Sequence, residues 1–217
     1  MAIAFFDLDR TLISRNSGSL WVRSELRLGF VTRWQALRAA GWLTRYHLGF
    51  ADLDQAIRAA VETLNGTEEG ALRTRTLEFY EREVKSLVRP GGLDALESHR
   101  AAGDALVLLT TSSNYLSEPI GADLGLDDWL CNRFETEDGA FTGRPLEPLC
   151  YGPGKRTLAA AYAAERDVDL ADCAFYTDSY SDLPVMEVVG RPVAVNADPR
   201  LKRLARQRGW EVVDWGA

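Results

Sequence analysis

Apolar and polar positions follow two different rhythms along the chain. Residues 2–6 (AIAFF), 105–109 (ALVLL), 173–176 (CAFY) and 193–195 (VAV) are short apolar runs, and 211–213 (EVV) is a weaker one. Runs of this length, bounded by polar residues, predict strands buried on both faces. Helical spacing lies between them, at 93–101, 114–124, 155–165, 183–189 and 199–208. Strand and helix in turn predict an α/β fold, a Rossmann-like parallel sheet with helices on both faces.

Residues 14–89 break this rhythm and contain no convincing strand. Leu53, Ile57, Ala60, Val61 and Leu64 form one helical stripe, which Asn65-Gly66 ends. Leu72, Thr76, Phe79, Tyr80, Val84 and Leu87 form a second stripe over 68–88. Pro90-Gly91-Gly92 then punctuates the return to the α/β rhythm. The predicted organisation is a core made of 1–13 and 90–217, interrupted after its first strand by a helical insert over 14–89. Within the core, Asp138-Gly139 in FETEDGAFTG (134–143) predicts a β-hairpin turn.

Composition narrows the class. With 46% hydrophobic residues in 217, there is enough apolar material for a sizeable core. The net charge of −7 argues against general nucleic-acid binding, which favours a basic surface. Cys131, Cys150 and Cys173 form no close metal-type cluster, and their odd number fits a reducing compartment. No run is long and apolar enough to span a bilayer, and MAIAFFDLDRTL lacks a basic leader. The expected location is the cytoplasm.

The candidate chemistry sits at strand ends. Asp7 and Asp9 follow the first apolar run, two residues apart, so an extended chain would point both to one side. Paired carboxylates there can bind a hard cation, exchange protons or attack an electrophile. Alone, the pair is better read as solvated loop acids. The second run ends in Thr110, Thr111, Ser112 and Ser113, whose hydroxyls could meet a phosphate or cap the next helix. Lys155 follows Gly152-Pro153-Gly154 and opens a helix, where an ammonium can neutralise phosphate. Leu149 and Arg156 exclude a Walker loop around it. Asp178 and Asp182 leave a further buried strand, and a cation shared with Asp7 would be their natural partner. As a helix start, Asp182 also suits an N-cap.

FFDLDRTL, Thr110 after ALVLL, Lys155 and TDSYSD together resemble, in order, the four motifs of the haloacid dehalogenase superfamily. The helical insert resembles that superfamily's C1-type cap, and the details are similar to the phosphoserine-phosphatase-like branch, subfamily IB. The resemblance implies that Asp7 is the nucleophile and that Asp9 protonates the leaving alcohol and then helps activate water. It implies Mg²⁺ held by Asp7, the backbone carbonyl of Asp9 and Asp178, with Asp182 a nearby ligand or the hydrogen-bonding partner of one. Thr110 (with Thr111 beside it) and Lys155 would hold the phosphate oxygens. The acid at position 9 favours phosphatase or phosphomutase chemistry, since the transport ATPases carry Thr there and the dehalogenases lack the acid.

Two departures bear on the substrate. Phosphoserine phosphatases carry a Glu near the position of Asn16, and the usual Gly-Asp-Gly and Asn-Asp are here Thr177-Asp178-Ser179 and Ser181-Asp182. The implied substrate is a small phosphorylated metabolite, such as a phosphoserine-like compound, a histidinol phosphate-like compound or a lipid phosphate. The rivals are a non-catalytic phospho-ligand sensor and a phosphotransferase to an acceptor other than water. A sensor would be expected to lose one of Asp7, Asp9, Lys155 or Asp178, and all four are present.

The first half of the insert is basic. Residues 15–51 hold six arginines (15, 23, 27, 33, 38, 45) against Glu25, interleaved with Trp21, Phe30, Trp34, Trp42, Tyr46 and Phe50. Such a surface could receive a large anionic substrate or rest on an anionic membrane as a peripheral contact. The plainer reading, which we favour, is that the aromatics pack the insert and the arginines pair with acids elsewhere.

Overall fold

The computed structural model describes residues 2–30 and 53–216. Its centre is a six-stranded, wholly parallel sheet in the order β3-β2-β1-β6-β7-β8. The strands are β1 (Ile3–Phe6), β2 (Ala105–Ser113), β3 (Asp128–Asn132), β6 (Ala174–Thr177), β7 (Arg191–Val195) and β8 (Glu211–Val213). Alternate residues of β1 feed two cores. Ile3 and Phe5 pack with Val107, Leu109 and Phe175 on one face. Ala4 and Phe6 pack with Leu108, Tyr176 and Val193 on the other. Both faces are covered, so these strands read as unbroken apolar runs.

β3 was not legible as a strand. It is one of the two edge strands, and Asp128, Trp129 and Leu130 are only partly buried, so DWLCN carries no apolar run. β2 runs four residues beyond the predicted 105–109 and carries Thr110–Ser113 within it.

The first described helices are α1 (Ser17–Leu28), α2 (Leu53–Glu62) and α3 (Glu69–Phe79). α3 continues as a π turn (Tyr80–Val84) and a 3-10 turn (Lys85–Leu87). Between Ser14 and Arg89 the described residues form helices and no strand longer than an isolated bridge. Trp21 packs edge-on to Phe79 at 5.2 Å, and Arg27 pairs with Glu83, in line with the plainer reading of the basic segment. Phe30, by contrast, is exposed beneath the Arg75 guanidinium. Arg33, Trp34, Arg38, Trp42, Arg45, Tyr46 and Phe50 lie outside the described residues.

α4 (Pro90–Ala102) starts three residues before its predicted position. Pro90 takes the first helical position, where its missing N–H costs nothing. Gly91 is required by packing, because a Cβ there would come within 2.6 Å of the Trp215 ring. The remaining helices are α5 (Asn114–Leu124), α6 (Pro153–Ala164), α7 (Leu183–Met186) and α8 (Pro199–Arg208). The helix predicted over 183–189 is the four-residue α7, entered through a 3-10 turn at Tyr180–Asp182.

The predicted hairpin is β4 (Phe134–Glu137) and β5 (Ala140–Pro145), with Asp138 and Gly139 both at positive φ as a tight hairpin turn demands. It clips onto the helical segment. Phe141 N–H donates to the Thr67 carbonyl at 2.9 Å, and Gly66 N–H returns to the Phe141 carbonyl at 2.8 Å. Phe141 buries with Leu72 and Tyr115, and Trp21, Leu64 and Phe134 pack around them.

Candidate active site

β1, β2 and β6 are neighbours in the sheet, and the predicted residues gather at their carboxyl ends. The strand order reverses between β1 and β6, and ligands of open α/β sheets bind at such a switch point. Asp7 directly follows β1 and is 6% exposed. Its N–H donates to the Tyr176 carbonyl at 2.9 Å, which fixes its backbone to β6.

Lys155 lies in the first turn of α6 and is 1% exposed. Its Nζ donates to Asp7 Oδ1 at 2.7 Å and to Asp182 Oδ2 at 2.8 Å. α6 begins tight against the preceding loop: a Cβ on Gly154 would stand 1.9 Å from the Leu149 carbonyl oxygen, so only glycine lets the helix place Lys155 here. Asp182 Oδ2 also accepts from Thr177 Oγ1 at 2.7 Å, so this oxygen is fully occupied in holding the ammonium. Burial alone would push the Lys155 ammonium down, but the Asp182 and Asp7 carboxylates more than reverse this and raise it.

Thr11, four residues after Asp7, was not singled out from the sequence. Buried completely, its hydroxyl donates to Asp7 Oδ2 at 3.2 Å and accepts from the Asp178 N–H at 3.0 Å. It ties the two acidic strand ends together. A hydroxyl one helical turn after the first acid was the available signal, and it reads equally as ordinary turn chemistry.

Asp178 is 9% exposed, and burial first, then the charges of Asp7 and Asp182, push its carboxyl up to about 8. Burial likewise pushes Asp7 up, against the pull of Lys155. Asp7, Asp178 and Asp182 are thus three buried carboxylates facing one buried ammonium. No three His, Cys, Asp or Glu side chains converge as a metal cluster among the described residues.

The chain leaves the extended conformation after Phe6 and reaches positive φ at Arg10, so strand alternation does not carry through to Asp9. Asp9 Oδ1 accepts the Ser17 N–H at 2.7 Å and Oδ2 accepts Asn16 Nδ2 at 3.2 Å. Burial pushes the Asp9 carboxyl up, while the bonds from Ser17 pull it back. Asp9 remains close enough to Asp7 for its charge to raise the Asp7 carboxyl.

Thr110 is buried in β2, and its hydroxyl accepts the Ser112 N–H at 3.2 Å. Thr111 points elsewhere: its hydroxyl donates to the Cys150 carbonyl at 3.0 Å, which anchors the loop before α6. Ser112, one of the hydroxyls at the end of the second apolar run, shares a 3.1 Å hydrogen bond with Ser17, the residue whose N–H holds Asp9. Ser113 sits at the N-cap of α5 without a side-chain capping bond. The three cysteines are buried, and burial pushes each thiol up, so none is an activated nucleophile.

Comparison with known proteins agrees with this arrangement. The family model of haloacid dehalogenase-like hydrolases matches residues 4–187. The chain is 35% identical to the "Inhibition of morphological differentiation protein" of Streptomyces azureus, covering 98% of this chain and 78% of that one. It is 31% identical to "Phosphoserine phosphatase SerB1" of Mycobacterium tuberculosis, covering 99% and 71%. A solved structure from Bordetella pertussis, described as a protein with unknown function, superposes with a TM-score of 0.90 at 29% identity and covers 99% of each chain. No helix among the described residues is long and apolar enough to cross a membrane. The chain belongs to the haloacid dehalogenase-like hydrolase family, in its phosphatase branch.

Proposed function

We propose that the chain is a Mg²⁺-dependent phosphomonoester hydrolase that works through an aspartyl-phosphate on Asp7, with 1–13 and 90–217 as its core and 14–89 as a helical cap. The observation that carries this reading is the buried Asp7–Lys155–Asp182 array beside Asp178 at one end of the sheet. Asp7 attacks phosphorus while the bond from phosphorus to the ester oxygen breaks, and Asp9 gives its proton to the departing alkoxide. Water then attacks the phosphorus of the aspartyl-phosphate, Asp9 takes its proton, and inorganic phosphate leaves with Asp7 restored. The upward pressure of burial on Asp9 supports its acid role. Lys155 favours the ionised form of Asp7 and faces the incoming phosphate, with Thr110 as a hydroxyl donor. For Asp182 we propose that Oδ2 positions Lys155 while Oδ1 is left for a metal or its water shell.

The residues present fit a hard divalent cation. Three buried carboxylates exceed one ammonium, and oxygen donors are what Mg²⁺ prefers. Asp7, Asp178 and the Asp9 carbonyl would hold it, and when bound it would supply positive charge to offset the negative charge on the oxygens of the transferring phosphoryl group. Cofactor and proton should compete at Asp178. Its carboxyl stands at about 8 in the folded chain against 3.8 ordinarily, so the folded state holds a proton that the unfolded state has lost between those values. Stability of the metal-free protein is therefore greatest below about pH 4 for this group and falls as pH rises towards 8. Mg²⁺ should raise the melting temperature several-fold more at about pH 8 than at about pH 5. An equal gain at both pH values, read by calorimetry with and without EDTA, would contradict this ligand assignment.

The substrate we propose is a small phosphorylated metabolite. The related phosphoserine phosphatase supports that class, while Asn16, bonded to Asp9, replaces the acid that contacts a substrate amine in the resemblance. Three buried thiols support a reducing, cytoplasmic setting. The test is inorganic phosphate release from phosphoserine, histidinol phosphate, phosphocholine and a lysophosphatidate, with Mg²⁺ and with EDTA. Metal-dependent release from at least one ester is the expected result. No release from folded protein would return the case to a sensor or a phosphotransferase.

A further inference from the structure

A cleft of about 470 Å³ opens where α1 meets the loop after β1 and the start of α4. Arg10, Arg15, Arg23 and Arg89 line it with Asn16 and Ser19, and no acid does so among the described residues. Asp7, Thr110, Lys155 and Asp178 are not part of its lining. Arg89 is the telling residue. It is 7% exposed, and its Nε and Nη1 have no hydrogen-bond partner. Buried guanidinium donors without partners are costly, and native proteins rarely leave them so. Exposed Asp214 feels the charge of Arg89 but accepts no hydrogen bond from it.

The backbone fixes this guanidinium at a junction. Arg89 N–H donates to the Leu12 carbonyl at 2.8 Å, and Ser14 N–H donates to the Leu87 carbonyl at 2.9 Å, so the chain enters and leaves the helical segment side by side. Arg10 lies in the loop after β1, and Arg89 directly precedes α4. Arg15 precedes α1, and Ser19 and Arg23, four residues apart, share one face of that helix. Arg10, Arg15 and Arg23, the other arginines of the cleft, are exposed and free to swing onto a ligand.

We propose that this cleft binds a multiply charged oxyanion of the phosphate class at a site separate from the Asp7 centre. Guanidinium forks match phosphate oxygens in pairs, and Arg89 already carries two unspent donors. The anion ties α1 to the sheet. It also sits beside Asn16, whose side chain donates to Asp9, so its presence registers at the acid. Two sources share this chemistry: a second phosphate on the substrate, or a free phosphate or phosphorylated metabolite.

The probe is inorganic phosphate, titrated calorimetrically into the full chain in EDTA. There the Asp7 centre keeps its excess of buried carboxylates and disfavours anions. Wild type should bind saturably and melt higher with phosphate, and Arg89→Gln and Arg23→Gln should each weaken binding about tenfold, the loss of one charged hydrogen-bond partner. Absence of saturable binding by wild type, or undiminished binding by both variants, overturns the site. If Arg89→Gln fails to fold, exposed Arg23→Gln decides alone. The source is then read from kinetics. A KM raised in Arg23→Gln for a bisphosphorylated ester, but not for p-nitrophenyl phosphate, assigns the site to the substrate. Free phosphate that changes the kcat for p-nitrophenyl phosphate in wild type, but not in Arg23→Gln, assigns it to an effector. The binding arm involves no turnover, so failure of the hydrolase reading leaves its result intact.

Discussion

Asp7→Asn should abolish phosphate release, lowering kcat/KM by roughly 10⁴-fold or more, while the protein stays folded. The amide keeps the volume of the carboxylate and retains an oxygen for the Lys155 ammonium, which approaches Asp7 Oδ1 at 2.7 Å. What it loses is the charge that attacks phosphorus. The same charge is unfavourable at rest, because burial and the carboxylates of Asp182 and Asp9 push against it. The variant should therefore melt no lower than wild type in EDTA, the pattern of a site that gives up stability for function. Phosphate release within tenfold of wild type, measured on the best ester of the panel, would remove Asp7 from the nucleophile's role.

Lys155→Met should damage both stability and rate. Lys155 is 1% exposed and bonds two carboxylates that are themselves buried, Asp7 and Asp182. Removing one partner of a buried ion pair leaves uncompensated charge and costs about 3–5 kcal/mol. Methionine fills most of the space, so the loss reports charge and not a cavity. The rate should fall about 10²-fold or more, since the cation facing the transferred group goes with it. Charge accounting also predicts a rescue: adding Asp182→Asn to Lys155→Met should recover part of the stability and none of the rate. Urea unfolding of the two single variants and the double variant reads the first. Equal stability of Lys155→Met and wild type would mean that the ammonium does not neutralise these acids.

How far the fold could be read from the chain depended on burial. β1, β2, β6 and β7 lie inside the sheet with both faces covered, so their residues form apolar runs. β3 lies at the edge, where Asp128 and Trp129 stay partly open and the run disappears. α4 begins at Pro90, ahead of its apolar spacing, and the Trp215 ring packs on Gly91 in its first turn, a contact between distant parts of the chain that no local pattern carries. The hairpin turn at Asp138-Gly139 was plain, but its docking on Thr67 and Gly66 was not, because backbone hydrogen bonds between distant segments leave no mark on side-chain pattern.

The site divides in the same way. Asp7, Lys155, Asp178 and Asp182 were legible because acids and a lysine at strand and helix ends are conspicuous, and three-dimensional structure brings all four together. Thr11 and Thr177 were not singled out, though each spends its hydroxyl on a site carboxylate. Threonine is too common at turns to stand out. Thr111, expected at phosphate, uses its hydroxyl to hold the Cys150 carbonyl, a partner 39 residues away that its position in the sequence does not announce.

The most direct test of the central claim is to stop the enzyme during turnover with borohydride and locate the product by peptide mass spectrometry. An acyl-phosphate is reduced to an alcohol, whereas a free carboxylate is not, so an aspartyl-phosphate is recorded as homoserine at its position. We expect homoserine at Asp7 alone, only with ester and Mg²⁺ present, and none in Asp7→Asn. Homoserine at Asp9 or Asp178, or its absence from Asp7 during sustained phosphate release, would contradict covalent catalysis by Asp7.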